Sequence, residues 1–415
     1  MAEFRRDYDV VVAGAGVAGV AAAVAAARNG RHTAIIEKSV LTGGLATSGL
    51  VYEYTPLCDG RGHQVTFGLA EEMLLLSFRY GPGGVPANWA TPDPTDWRCR
   101  YSTAFSPASF VLALDELLCD AGVDVWFDTL VSEPVMEGDR VVGLIVENKS
   151  GRGLLGVRCV VDATGDADVA FRAGAPCDEQ DNWLSLWALG ASADAPFPGP
   201  HGSSAPGAAE VRLGACNTGA GHPGGVRKYM GTRGRDVSEF VLDSRRLLRE
   251  YYTEAQSRLG AVGRSRTYPL TLPAMAQFRT TRCIRGQETL TEGMNWQHFE
   301  DSVGLVADWA RRGDVWEVPY GTLLPRDVTG LVAAGRCISS VGYAWEVTRV
   351  IHAAAHTGEL AGTAAGLAVE RGTAPDALSA ADIRARVGPT GVLHDCREVP
   401  RETPAEGAFV RPGQH

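Results

Sequence analysis

A glycine pattern near the N-terminus constrains this chain more than any other feature. Gly14-Ala-Gly16-Val-Ala-Gly19 follows the valine-rich run Asp9-Val-Val-Val-Ala and opens the alanine-rich segment Val17 to Asn29. The first run reads as a strand buried on both faces. The second reads as a helix, with Gly30 as its C-terminal cap. Thr33-Ala-Ile-Ile-Glu37 reads as a second buried strand. Strand, turn, helix and strand complete one crossover unit within about thirty residues. In such a unit the first glycine makes the tight turn and the second lets a pyrophosphate reach the backbone. The third lets the helix pack on the strand. N–H groups and the helix dipole then hold the anion. An acid is expected about 20 residues on, to accept from a ribose. Glu37 stands 23 residues after Gly14. The pattern predicts a dinucleotide site at Gly14, Gly16, Gly19 and Glu37.

Composition narrows the class further. A chain of 415 residues has a prior of two to three domains. Its 39 Lys and Arg against 49 Asp and Glu give a net charge of −10, with no basic run. Nucleic acid is excluded as the main partner and a membrane surface is disfavoured. Arg5-Arg6 ahead of the apolar stretch Val10 to Ala27 resembles a targeting segment, but Asp7 and Asp9 interrupt it. The nine cysteines contain no Cys-x-x-Cys, which argues against a redox dithiol and a zinc knuckle. No metal site is expected, and the odd count with irregular spacing reads as a reduced, cytoplasmic protein.

Further along, helices are expected over Gly68 to Arg79, Ser109 to Ala121, Arg235 to Leu259 and Val350 to Glu370. A β-meander is expected from Val131–Met136, Val141–Asn148 and Gly153–Val161, and another buried strand at Leu331 to Gly335. The Pro- and Gly-rich stretch 195–207 reads as a loop or cover. Three features favour FAD as the dinucleotide. Gly43-Gly44 lies just past the second strand. Asp162-Ala-Thr-Gly165-Asp166 follows a meander strand. Ala334-Gly335-Arg336 ends the late strand, ahead of a long Ala/Gly-rich helix.

The order of these segments resembles the FAD-dependent oxidoreductases of the glutathione-reductase-like flavoprotein fold. More narrowly, it is similar to the bacterial FAD-dependent oxidoreductase family. The motifs are Tyr8 through Gly16, Gly43 through Gly49, Pro56-Leu-Cys-Asp-Gly60, Phe278-Arg-Thr-Thr-Arg282, Val318 through Pro325, Ala334 through Ser339, and Arg349 through Gly362. The resemblance implies an α/β fold: a Rossmann-like FAD-binding domain with a β-meander, plus a smaller α+β substrate or cap domain. We place these at 1–190 with 317–375, and at 191–316; 376–415 is a C-terminal extension. The resemblance also implies the pyrophosphate at Gly14, Gly16 and Gly19, and the adenosine at Glu37 and Lys38. Val131 falls near the adenine; Gly43, Gly44, Gly165, Asp166, Gly335 and Arg336 line the rest of the cofactor. The sequence departs from the family at one point: where proline commonly follows Arg349-Val-Ile, His352 stands.

A flavin carries the hydride chemistry, and the protein supplies orientation and a proton path. His352, at the start of the Ala/Gly-rich helix, is the candidate acid or base near the flavin pyrimidine. His356 follows one turn on. Arg279 and Arg349 are candidates for a substrate carboxylate, which a guanidinium matches bidentately. If Phe278 to Gly286 is a strand, Arg279 and Arg285 share a face and Arg282 points the other way. Cys58 and His63 lie in the segment expected to pass the flavin, where Cys58 is a candidate for covalent attachment. No second Gly-x-Gly-x-x-Gly has a βαβ unit around it, so electrons are expected to pass directly from a small-molecule substrate, or through a separate donor or acceptor. The expected reaction is hydride transfer, as a dehydrogenase or double-bond reductase. An oxidase or monooxygenase, and a non-catalytic flavin-binding subunit, stay open as alternatives.

Overall fold

The strand Gly151–Asp162 organises the chain by having different neighbours along its two halves. Our computed structural model describes residues 3–81, 84, 102–191 and 208–401. Gly151–Asp162 runs parallel to β1 (Phe4–Ala13) along one side. On the other side its first half pairs antiparallel with Arg140–Asn148, which continues to Leu130–Glu137. Its last residues, Val160 to Asp162, instead pair parallel with Leu331–Ala333. On the far side of β1 lie β2 (Thr33–Ile36) and then Asp124–Trp126, all parallel. The sheet therefore has seven strands, parallel on one flank with a meander on the other.

Register decides where function can sit. Ala13 pairs with both Ile36 and Asp162, and Asp162 pairs with Ala333. Four carboxyl ends thus finish at one level. The turns that follow them carry Gly14, Glu37, Gly165 and Gly335. Open α/β sheets bind ligands outside this edge.

α1 (Val17–Arg28) packs on the sheet, and the long helix Ile351–Arg371 packs on α1. The contact is backbone on backbone. A Cβ added at Gly358 would lie 2.2 Å from the Ala18 carbonyl oxygen, and one at Gly362 would lie 2.1 Å from that of Ala22. Beyond the large sheet, Ala208–Gly214, Ser185–Ala191 and Tyr268–Thr271 form a three-stranded antiparallel sheet. The helix Gly234–Arg266 covers it through Leu248 and Tyr252.

The expected elements recur with shifted ends. The helices span Leu69–Leu76, Pro107–Asp120, Gly234–Arg266 and Ile351–Arg371. Gly234–Arg266 runs past its expected end across a kink at Gly260, whose φ is 61°. The late strand stops at Ala333, because Gly335 turns the chain with φ 65°. Phe278 to Gly286 is not one strand: Arg282–Ile284 pairs with Cys177–Glu179, and Gly286 makes an isolated bridge to Pro325. The expected cover at 195–207 lies outside the described residues. Among the described residues there is no disulfide, and no helix is long and apolar enough to cross a membrane.

Candidate cofactor and substrate site

The turn after β1 has the form a pyrophosphate needs. Gly14 has φ 96°, and a Cβ there would lie 2.6 Å from the Ala163 carbonyl oxygen. A Cβ on Gly19 would lie 1.8 Å from the Gly14 carbonyl oxygen, so only glycine lets α1 sit this close to the strand turn. At Gly16 the situation reverses: an added Cβ meets no atom within 4 Å. No side chain caps this end of α1. First-turn donors beside open space are what an anion requires.

Glu37 leaves β2 with its carboxylate turned back to this loop. One oxygen accepts from the Ala15 N–H at 3.0 Å and the other from the Ser39 N–H at 2.9 Å. Lys38 is exposed beside it. Gly43 (φ 91°) donates to the Ala15 carbonyl at 2.7 Å, and a Cβ on Gly44 would stand 3.1 Å from the Gly16 Cα. The Gly43-Gly44 corner thus lies over the glycine loop. Val131 stands half-buried in Leu130–Glu137, two residues past Thr129, whose N–H donates to the Glu37 carbonyl.

The next two turns are tied to each other. Asp162 is fully buried and accepts from Thr164 Oγ1 and the N–H groups of Thr164, Val169 and Ala170. It shapes the turn that presents Gly165 and Asp166. Arg336 donates to the Gly165 carbonyl at 2.6 Å, to Asp166 at 2.7 Å and to the Phe278 carbonyl. Thr281 donates to Asp166 at 2.6 Å. Sequence reasoning singled out the arginines of Phe278-Arg-Thr-Thr-Arg282 and missed Thr281; only its place in that motif marked it. Gly335 sits against Ala18: a Cβ there would lie 2.7 Å from the alanine Cβ.

His352 is the residue expected to act as acid or base. It lies inside the first turn of Ile351–Arg371, is fully buried, and has both ring nitrogens occupied. Nδ1 accepts from Thr55 Oγ1 at 2.8 Å, and Nε2 donates to the Ala307 carbonyl at 3.0 Å. Burial pushes its pKa down to about 3. The ring thus bridges three segments: its own helix, Thr55 and Ala307. His356 is also buried, with its pKa lowered to about 4 by burial, and it packs against Gly304. Glu359, on the same helix, is buried under Gly68 and accepts from the Leu69 N–H at 2.8 Å. Burial lifts its pKa to about 7.

These three groups give a pH signature. A buried neutral histidine stabilises fully above its unfolded pKa of about 6.5, and that stability is lost as pH falls. Glu359 does the opposite: its folded pKa is raised, so its contribution is complete below the unfolded value and is lost as pH rises towards 7. Between pH 4.5 and 6.5 the two histidines outweigh the one carboxyl, by up to about 1.4 kcal/mol per pH unit. His356→Leu removes one histidine from that balance. Urea unfolding across this window is expected to give a shallower rise of stability with pH in the variant than in wild type. Parallel curves would contradict the burial assigned to His356.

Cys58 and His63 sit in a tight loop ordered by Asp59. That carboxylate is fully buried and accepts from the Arg61 N–H at 2.7 Å and from His63 Nδ1 at 3.2 Å. The loop packs on the Trp309–Gly313 segment, with Arg312 on the Gly60 carbonyl. Arg279 and Arg349 lie elsewhere, at the turn after Ala208–Gly214. Arg279 donates to the carbonyls of Ala215 (2.7 Å) and Cys216 (3.2 Å). Arg349 pairs with Glu346 and reaches Asn217 Oδ1 at 3.4 Å. No hydrogen bond among the described residues joins the Cys58–His63 loop to these arginines. Arg282 is buried against Glu179 and Asp168, and Arg285 pairs with Asp178 at the surface.

No curated protein matches the chain. Among solved structures it is similar to p-nitrophenol 4-monooxygenase from Pseudomonas putida DLL-E4, at 13% identity and a TM-score of 0.48, with 93% of this chain and 87% of that one covered. A geranylgeranyl bacteriochlorophyll reductase-like protein from Thermoplasma acidophilum aligns at 15% identity and a TM-score of 0.46, over 93% and 83% of the two chains. The model of the family described as FAD dependent oxidoreductase matches residues 9–185 and 204–387, which is most of the sequence, and the chain belongs to that family.

Proposed function

We propose that this FAD-dependent oxidoreductase moves a hydride between a small organic substrate and its flavin, as a dehydrogenase or double-bond reductase. The observation that carries the reading is the gathering of Gly14–Gly19, Glu37, Gly165 and Gly335 on one carboxyl edge, with the Arg279–Arg349 pair beside it. Bound FAD supplies a two-electron acceptor or donor. The chain's own residues fit that group: α1 donors for the pyrophosphate, Glu37 with Lys38 for the adenosine, Val131 beside them, and Gly43, Gly44, Gly335 and the Arg336–Asp166 pair along the rest.

Among the described residues only Gly14 to Gly19 sets the Gly-x-Gly-x-x-Gly pattern between a strand and a helix, which supports electrons coming from the substrate itself or from a separate partner. We assign the cofactor-binding part a glutathione-reductase-type architecture over 1–190 and 317–375, with 191–316 over the substrate. The cysteine pattern, without a Cys-x-x-Cys and with an odd count, supports cytoplasmic residence. The test is anaerobic mixing of the loaded protein with candidate substrates, followed by air or an artificial acceptor. Bleaching of the flavin and return of colour with the artificial acceptor are expected. Reoxidation by oxygen coupled to substrate hydroxylation would assign a monooxygenase, and a flavin that no substrate bleaches would leave a binding subunit.

A further inference from the structure

The two arginines come from segments seventy residues apart and converge on three consecutive residues. Arg279 holds the carbonyls of Ala215 and Cys216, and Arg349 reaches the side chain of Asn217. Their charges are close enough that Arg349, after burial, is the main influence lowering the Arg279 pKa, to about 10. Like charges are rarely brought together without an anion to share. Glu346 supplies one carboxylate, and it is bound by the Arg349 fork. Arg279 has no acid bonded to it among the described residues. Its two contacts are carbonyls, and a guanidinium carries five donors, so three remain. The cluster therefore holds two cations, one carboxylate and spare, oriented N–H groups.

Its place is as telling as its charge. Arg279 follows Phe278, whose carbonyl is held by Arg336, and Arg336 also clamps Gly165 and Asp166. Arg349 directly precedes Val350, the N-cap of the helix that packs on α1. Both guanidiniums thus hang from residues fixed to the cofactor groove.

We infer that Arg279 and Arg349 form a carboxylate-recognition site that selects an organic acid as substrate and orients it towards the cofactor. The excess charge of one suits a monocarboxylate head better than a doubly charged phosphate. Glu346 already shows a carboxylate seated on the Arg349 fork. The inference rests on the proposed flavin reaction for its meaning, but the site can be tested without it.

Cys216 provides the independent readout. Its thiol is exposed, 3.0 Å from Thr218 Oγ1, and its pKa is lowered by that contact and, to a lesser extent, by Arg279. An anion on Arg279 should raise that pKa and shield the thiol. The experiment follows labelling by a thiol reagent, with Cys216→Ser identifying the signal, at constant ionic strength. Acetate and succinate are compared with acetamide and inorganic phosphate, and the flavin absorbance is recorded in parallel. Carboxylates are expected to slow Cys216 labelling and perturb the flavin spectrum, while acetamide does neither. Arg279→Met should weaken the carboxylate effect by about 10–100-fold, the range for losing charged hydrogen bonds. Arg279→Lys should retain part of it, and Arg349→Gln tests the second arm if the methionine variant folds poorly. Equal protection by acetamide, stronger protection by phosphate, or undiminished protection in folded Arg279 and Arg349 variants would overturn the site. Protection of Cys216 with an unchanged flavin spectrum would keep the site and sink its link to the flavin.

Discussion

Gly358→Val is expected to yield little folded, flavin-loaded protein. The helix Ile351–Arg371 touches α1 along Gly358 and Gly362, where no side chain separates the backbones. A valine Cβ at 358 would start 2.2 Å from the Ala18 carbonyl oxygen and 2.9 Å from the Ala21 Cβ. Backbone cannot swing aside as a long side chain can, so the helices must part. Overpacking commonly costs ~1–3 kcal/mol, and with backbone on both sides the upper end or more applies. The first turn of α1 is where we propose the pyrophosphate binds, so parting the helices is expected to remove the cofactor as well. Gly366→Ala is the control: its Cβ would lie 3.4 Å from the Asn29 Cβ, an ordinary contact. That variant should be within about 1 kcal/mol of wild type, since helix propensity favours alanine. Thermal unfolding and bound-flavin content of the two variants check the contrast.

His352→Ala is expected to lose stability and flavin together, and not catalytic rate in the molecules that stay loaded. The ring bridges Thr55, on the segment after Glu53–Tyr54, and Ala307, at the end of Ser302–Ala307. Removing it leaves a buried hydroxyl without its acceptor and a buried carbonyl without its donor. Each unmet group costs about 1–3 kcal/mol, and the cavity adds to that. A loss of roughly 3 kcal/mol or more follows, read by urea denaturation. If His352 handled a proton instead, the variant would stay loaded and reduce its flavin 10²–10⁴-fold more slowly, by the usual yield of general catalysis. Normalising reduction rate to bound FAD separates the two.

The same residue shows where the sequence stopped being informative. The crossover unit was readable because local period and glycine spacing determine it: Gly14 and Gly335 need a positive φ, and Gly19 must clear the Gly14 carbonyl, whatever lies far off. The meander was readable for the same reason, since adjacent strands pair through short turns. A residue's facing was not. Ile351–Arg371 is buried around nearly its whole circumference, so hydrophobic periodicity cannot tell which side of it holds His352. Thr55, Thr281 and Asp162 bind partners reached only through the tertiary fold or through hydrogen bonds that composition does not signal. The split partnership of Gly151–Asp162 depends on a strand whose residues stand 171 positions after their partners. Arg282 likewise finds its acids, Glu179 and Asp168, on segments distant in the sequence.

The most direct test of the cofactor groove is the FAD content of purified wild-type protein and of Glu37→Arg, measured after denaturation and chromatography, with circular dichroism to confirm that both are folded. Glu37 is the acid at the end of β2, bonded to the Ala15 N–H of the glycine loop. Arginine there removes the carboxylate proposed to accept from the ribose and adds bulk and positive charge beside the loop. About one FAD per wild-type chain and almost none in a folded Glu37→Arg variant is the predicted result. Undiminished FAD in that folded variant, or a folded wild-type chain that takes up no FAD, would contradict it.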